Sequence, residues 1–330
     1  MHLSFRKARN TSSFEQRVPP LFRRDFLKLA AAALIPQELI GNPRSAPALP
    51  TMTLGGGRVT RLVAGSNPLW GGSHFNHILS GLMREYFTDD RVVQFLLDCQ
   101  RAGINTWQTS FGERPQQVLR RSREAGATLN WICLAGSWEW DPARMTPTDL
   151  HAAMMKSVRE AASEKPLGFA YHGEVSDRLW RMGQFDQIRS FLDGVHDLGF
   201  AAGISTHNPA VIAASEEKGW PADFYMGCFY RESRIAQEFQ KEIGVVPVGE
   251  TYLSSDPARM CQVIKQAQKP CLGFKILAAG RRCDSAQQIR DAFQFAFRNV
   301  KPTDGVIVGM FPKLSDHIAE NTRLVREIAA

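Results

Sequence analysis

From about residue 60 to the C-terminus, short apolar runs rich in β-branched and aromatic residues alternate with longer amphipathic stretches. The short runs predict strands over 61–66, 105–110, 129–136, 167–172, 201–207, 223–229, 271–277 and 305–310. Helical spacing predicts helices over 90–102, 114–125, 148–163, 184–198, 285–299 and 315–329. Strand–helix alternation of this kind folds as a parallel sheet with right-handed crossovers. Eight such units point to an α/β fold closed as a (β/α)8 TIM barrel. An open dinucleotide-binding sheet fits less well, because no Gly-x-Gly-x-x-Gly opens a helix after the first strand.

Two pieces fall outside the repeat. Residues 52–59 read as a short hairpin turned by Gly55-Gly56-Gly57 and placed to plug the barrel floor. Residues 230–268 hold a strand-like piece at 245–249 and two helical patterns, which makes the sixth crossover an elaborated one.

The first 48 residues carry a different pattern. Arg23-Arg24-Asp25-Phe26-Leu27-Lys28 precedes an apolar run over 29–35 and the small-residue site Ala46-Pro47-Ala48. This is the layout of a twin-arginine signal peptide and linker, cleaved after Ala48, with residues 49–330 left as a single barrel domain. The apolar run is shorter than the roughly 20 residues a permanent span needs. The chain is therefore expected to be exported to the periplasm or beyond, to engage the twin-arginine machinery, and to keep no membrane span after cleavage.

Charge changes with the leader. The full chain has a formal charge of +7, but residues 1–48 hold eight of the 40 Lys/Arg and three of the 33 Asp/Glu. The remaining 32 basic and 30 acidic residues give no clustered excess of the kind nucleic-acid binding requires, so no nucleic-acid partner is expected. Six cysteines are scattered without a Cys-x-x-Cys pair, which argues against a zinc ribbon or an iron–sulfur centre. Cys133, Cys228 and Cys271 lie in apolar runs and read as buried thiols.

The phase of each strand selects candidates for chemistry, since barrel active sites form at the C-terminal strand ends. In the fourth strand Gly168, Ala170 and His172 share the inward face. The fifth gives Gly203, Ser205 and His207; the seventh gives Cys271, Gly273 and Lys275; the second gives Thr106, Gln108 and Ser110. His172, His207, Lys275 and Gln108 are thus the candidate catalytic residues, with a capping role for the helix near Pro209 as the alternative for His207 and Asn208 as the better cap. Lys275 needs a partner or a ligand, because an unpaired buried ammonium costs several kcal/mol. His74 and His77 fall in the first mouth loop and, with His172, His207 and Glu174, have the chemistry to hold a divalent metal. Loop histidines at this spacing are commoner without one, and no metal site is expected. Trp70, Trp138 and Trp140 lie in mouth loops, as a ligand-stacking wall or as simple loop packing.

The stretches Gly203-Ile204-Ser205-Thr206-His207-Asn208-Pro209, Phe274-Lys275-Ile276-Leu277-Ala278-Ala279-Gly280-Arg281 and Val306-Ile307-Val308-Gly309-Met310, with Glu320-Asn321, resemble the fifth, seventh and eighth strand motifs of the aldo/keto reductases. Leu54-Gly55 with Val59-Thr60-Arg61-Leu62 is similar to that family's opening hairpin, so the resemblance runs over nearly all of 51–330. It implies a nicotinamide cofactor, NADP or NAD, contacted by Ser205, Asn208, Lys275, Met310, Lys313, Glu320 and Asn321, with phosphate at a loop and a helix N-terminus. It also implies a small carbonyl or sugar-like substrate. The family's Asp, Tyr, Lys and His tetrad is matched only at His172. Gln108 replaces the Asp, Phe111-Gly112 replaces Tyr-Gly, and the third strand offers no lysine. Gln cannot ionise and Phe has no proton to donate, so the ordinary reduction mechanism is not open. Three readings follow: an exported oxidoreductase that folds around its cofactor before export, a non-redox enzyme on the same scaffold, and a ligand-binding barrel.

Overall fold

The computed structural model describes residues 47–329 apart from Trp138, so the twin-arginine motif and the apolar run after it lie outside the described residues. All eight barrel strands form where the pattern places them. They are β3 (Leu62–Gly65), β4 (Thr106–Ser110), β5 (Asn130–Ala135), β6 (Gly168–Tyr171), β7 (Ala201–Thr206), β8 (Phe224–Cys228), β9 (Cys271–Phe274) and β10 (Gly305–Gly309). All neighbours are parallel, and the sheet closes between β10 and β3 into an eight-stranded barrel. The hairpin is present as β1 (Thr51–Leu54) and β2 (Gly57–Thr60), paired antiparallel.

The helices, in chain order, are α1 (His77–Tyr86), α2 (Asp89–Arg101), α3 (Glu113–Glu124), α4 (Pro147–Ala162), α5 (Gly173–Arg181), α6 (Gln187–Asp197), α7 (Pro209–Glu217), α8 (Ala236–Ile243), α9 (Asp256–Gln266), α10 (Ala286–Asn299) and α11 (His317–Ile328). Local chemistry starts several of them. Asn76, Thr88, Thr146, Asn208, Ser285 and Asp316 each accept a backbone N–H of the first turn they precede. Between β8 and β9 the crossover contains α8 and α9, as expected. The 245–249 piece is irregular rather than a strand, with Val248 fully exposed, because no neighbouring strand offers it a partner.

The core has two layers. One large cluster lies between the strands and the surrounding helices, with Trp107, Trp131, Phe169, Tyr171 and Phe191 among its largest members. A second fills the barrel itself: Val63, Ile132, Ala170, Phe224, Met226, Leu272 and Ile307, closed from below by Met52, Leu54 and Val59 of the hairpin. The hairpin therefore does plug the floor.

The small inward residues of β6 and β7 have a packing reason. A Cβ at Gly203 would lie 2.5 Å from the Phe224 ring, and one at Gly168 would lie 3.1 Å from it. Both glycines make room for a phenyl ring from the next strands. Gly203→Val is accordingly expected to destabilise the barrel by about 1–3 kcal/mol, the usual cost of overpacking. Equilibrium urea denaturation measures it, and an unchanged midpoint would refute this account of the barrel interior.

The phase of β9 differs from the sequence expectation. Leu272 packs into the barrel interior with Phe274 against it, while Cys271 belongs to the outer layer. A Cβ at Gly273 would meet the Phe229 ring at 2.6 Å. The inference that bulky residues face outward fails here because large side chains from β8 and β9 fill this section of the barrel, next to the glycines of β6 and β7.

Candidate active site at the barrel mouth

The C-terminal ends of β6 to β9 bring together two groups of polar side chains. In the first, Asp177 on α5 reaches across to the end of β7. Its Oδ2 lies 2.8 Å from His207 Nδ1 and accepts the His207 backbone N–H at 3.0 Å, while Oδ1 accepts the Thr206 hydroxyl. Asp177 is 1% exposed and His207 7% exposed. A carboxylate only accepts, so Nδ1 carries the proton and Nε2 is the nitrogen left for chemistry.

Burial by itself disfavours the charge on both partners. For Asp177 the hydrogen bond and charge of His207, with the bond from Thr206, outweigh it and lower the carboxyl below its ordinary value. For His207 the hydrogen bond and charge of Asp177, together with Glu232, outweigh burial and the opposing charge of Lys275, and the imidazole is raised above its ordinary value. Gly173 sits against this pair: a Cβ there would lie 3.2 Å from His207 Cε1 and 3.1 Å from Ser205 Oγ.

His172 follows β6 directly and takes the N-cap position of α5. Burial, then the neighbouring charges of His207 and Arg178, push its imidazole down to about 3, so it is neutral. Its Nδ1 is buried without a hydrogen-bond partner. Buried polar atoms in native proteins are normally satisfied, which makes this one an exception.

The second group surrounds Lys275. The strand stops at Phe274 and Lys275 adopts a left-handed conformation with φ 58°. Its side chain therefore reaches the mouth through a turn, not through the strand alternation expected from the sequence. It is paired with Glu232, both side chains being under 10% exposed. Glu250 lies beyond, its two oxygens each 3.0 Å from His74 Nδ1. The Tyr252 hydroxyl donates to Glu250 Oε2 at 3.2 Å. Burial alone raises the Glu250 carboxyl, but the bond and charge of His74 and the charge of Lys275 win and lower it to about 2. In Glu232 burial is likewise outweighed, by Lys275 and His207, and the carboxyl is lowered.

A cavity of about 160 Å³ adjoins His207 and is lined by Asn208, Cys228, Phe229, Arg231 and Arg234. Arg231 Nε faces no partner and is buried. A larger cavity of about 800 Å³ lies at the other end of the barrel, beside Gly55, His196, Asp223 and Lys269. That end carries the hairpin and the strand beginnings, away from all the groups above, so the smaller cavity is the one relevant to chemistry.

The other sequence candidates are placed as follows. Gln108 is buried inside the barrel on β4, beside Gly65 and Ile132 in register. Phe111 packs against the core. Asn208 caps α7 through a bond from the Ala210 N–H at 3.1 Å, as expected. Trp70 donates from Nε1 to Thr109 Oγ1 at 2.9 Å and packs beside Trp107, which is loop packing rather than a ligand wall. Trp138 lies outside the described residues. Cys133, Cys228 and Cys271 are buried thiols raised above their ordinary value by burial.

Most of the positions assigned to a nicotinamide dinucleotide are buried or paired. Ser205, Asn208, Met310 and Asn321 are at most 5% exposed, and Lys275 is engaged by Glu232. The first turn of α11 is acidic. Asp316 caps it by accepting the Ala319 N–H, Glu320 follows, and the Phe311 N–H is taken by His317 Nδ1. A phosphate at that end would meet two carboxylates where it needs free N–H groups. Of the assigned set, Lys313 is the exposed cation.

Four residues of the mouth were not singled out by the sequence. Asp177 carries a faint signal: it sits on the buried face of α5 with Val175, Ser176 and Leu179, where an acid needs a partner. Glu232, Glu250 and Tyr252 lie in irregular parts of the crossover, where no periodicity points to them.

Comparison with known proteins supports the fold. Two solved structures from Pseudomonas aeruginosa, each described only provisionally as an aldo-keto reductase, resemble this chain. One has a TM-score of 0.54 at 16% identity, covering 88% of this chain and 100% of the other. The second has a TM-score of 0.51 at 16% identity, covering 85% and 95%. The chain thus has an aldo/keto-reductase-like barrel fold. No protein-family model and no curated protein matches it.

Proposed function

We propose that this protein is an enzyme that moves a proton on a small, oxygen-rich substrate held at the barrel mouth, with His207 as general base. The observation that carries the reading is the buried Asp177–His207 pair, with Nδ1 spent on the carboxylate and His207 among the residues that line a cavity. Asp177 fixes the tautomer and stabilises the imidazolium formed when Nε2 accepts a proton, the role a buried aspartate performs behind a catalytic histidine. Arg231 lines the same cavity, and its Nε has no hydrogen-bond partner.

The test is proton exchange in heavy water across a panel of small hydroxy-carbonyl compounds, followed by NMR. Exchange lost in His207→Gln supports the reading, and exchange equal to that of the unaltered protein refutes it.

A second reading, a nicotinamide-dependent oxidoreductase acting on a small carbonyl or sugar-like substrate, is favoured by the shared barrel fold. The placement of the seven assigned residues counts against it. Native mass spectrometry of protein produced with its own leader separates the two: an added mass of a nicotinamide dinucleotide would favour the second.

Export by the twin-arginine route is part of the proposal and rests on Arg23-Arg24 with the apolar run behind it. Arg23→Lys with Arg24→Lys should retain the protein in the cytoplasm, read by fractionation. Unchanged export of that variant would overturn the assignment.

A further inference from the structure

We propose that His74, Glu232 and Glu250 form a site for one divalent transition-metal ion at the barrel mouth. Each side chain offers one donor atom, and the three donors lie within 4.8 Å of one another. They come from distant parts of the chain: the loop after β3, the start of the long crossover after β8, and its irregular middle.

The arrangement is held in place by a separate residue. Arg281 donates from Nη1 to the His74 carbonyl at 2.9 Å and from Nη2 to the Glu250 carbonyl at 3.3 Å. The same guanidinium lies 4.0 Å above the Tyr252 ring and 5.1 Å from that of Phe75. One side chain therefore ties both exposed ligand loops together. Ligand-bearing loops fixed in this way lose little further freedom on binding an ion.

The donor set has the right chemistry. One imidazole nitrogen and two carboxylate oxygens suit Zn²⁺, Mn²⁺ or Fe²⁺ better than a Mg²⁺ ion, which keeps several waters. Bringing the donors to the ~2.0–2.2 Å of a bound Zn²⁺ needs side-chain shifts of roughly an ångström. His74 also has its outer partner in place, with Asn67 Nδ2 3.0 Å from Nε2. Without an ion, Nδ1 carries the proton and donates to Glu250. On binding, Nδ1 becomes a ligand, the proton moves to Nε2, and the Asn67 amide turns over to accept it.

Lys275 stays beside Glu232, whose two oxygens serve the ammonium and the ion separately. Side-chain exposure falls from 45% at Glu250 and 30% at His74 to 6% at Glu232, so the site opens toward the mouth. Three protein ligands with an open position are the arrangement of a catalytic ion rather than a structural one. Such an ion would polarise a substrate oxygen while His207 takes the proton. Ion uptake is measured without substrate, so failure of the acid–base reading and failure of this one are seen separately.

The experiment is calorimetric titration of the chelator-stripped full chain with ZnCl2, MnCl2 and MgCl2, with elemental analysis of the dialysed product. One Zn²⁺ or Mn²⁺ per chain is expected. His74→Ala and the near-isosteric Glu250→Gln should each weaken binding at least about a hundredfold, beyond the 10- to 100-fold that Asn67→Ala should cost as an outer partner. Thermal melting confirms that Glu250→Gln remains folded. No uptake at millimolar metal, or equal uptake by the His74→Ala/Glu250→Gln double variant, overturns the proposal.

Discussion

Asp177→Asn should lower turnover by about 10²–10⁴-fold, the range general acid–base catalysis contributes, while the barrel stays folded. Asparagine keeps the shape, and with its oxygen in the place of Oδ2 it still accepts both the His207 backbone N–H and Nδ1–H, while its amide nitrogen donates to the Thr206 hydroxyl. What it lacks is the negative charge that stabilises the imidazolium formed when Nε2 takes a proton. The loss should fall on kcat rather than KM, because the substrate pocket is unaltered. Turnover within a few-fold of the unaltered protein would remove His207 from the base role.

The second large effect concerns stability. The Arg234 side chain is fully buried and the Asp256 side chain 2% exposed. Arg234 Nη1 donates to Asp256 Oδ2 at 2.8 Å and to the Arg231 carbonyl at 2.9 Å, and Nε donates to Glu242 Oε2 at 2.7 Å. These bonds join α8 to α9 and form a wall of the cavity beside His207. Arg234→Met should cost about 3–5 kcal/mol, because it leaves the Asp256 carboxylate buried without its cation. The Arg234→Met/Asp256→Leu double variant should recover much of that loss, since well-packed apolar groups can replace a buried ion pair. Urea unfolding of the three proteins measures both. A loss below about 1 kcal/mol for the single variant would place this pair among ordinary surface bridges.

Barrel architecture was legible because strand and helix periods repeat along the chain and because short apolar runs have few other folded uses. The mouth was legible where a strand runs straight to its end. His172 and His207 lie where alternation puts them, and Asn208 caps the helix that its type and position suggest. Prediction faltered at β9, where Leu272 packs into the barrel interior, while the space left by Gly203 and Gly168 is taken by the Phe224 ring of β8. Packing partners across a barrel are not encoded within one strand. Lys275 reached the site by a left-handed turn, and Glu232 and Glu250 by a crossover without periodicity. Asp177 was missed because α5 begins immediately after β6, with no loop to separate the two patterns.

The Asp177–His207 pair also sets a pH dependence. His207 is raised in the folded protein, so its contribution to stability is present below its unfolded value of about 6.5 and is lost as pH rises through the folded value. Asp177 is lowered, so its contribution is present above about 3.9 and is lost as pH falls through the folded value.

The most direct measurement is an NMR titration of the histidine side chains in the unaltered protein and in Asp177→Asn. His207 should titrate above the ordinary imidazole value, and its midpoint should fall in the variant, while His172 stays neutral down to about 3. A His207 midpoint at or below the ordinary value, unmoved by Asp177→Asn, would contradict the assignment of this pair as the acid–base centre.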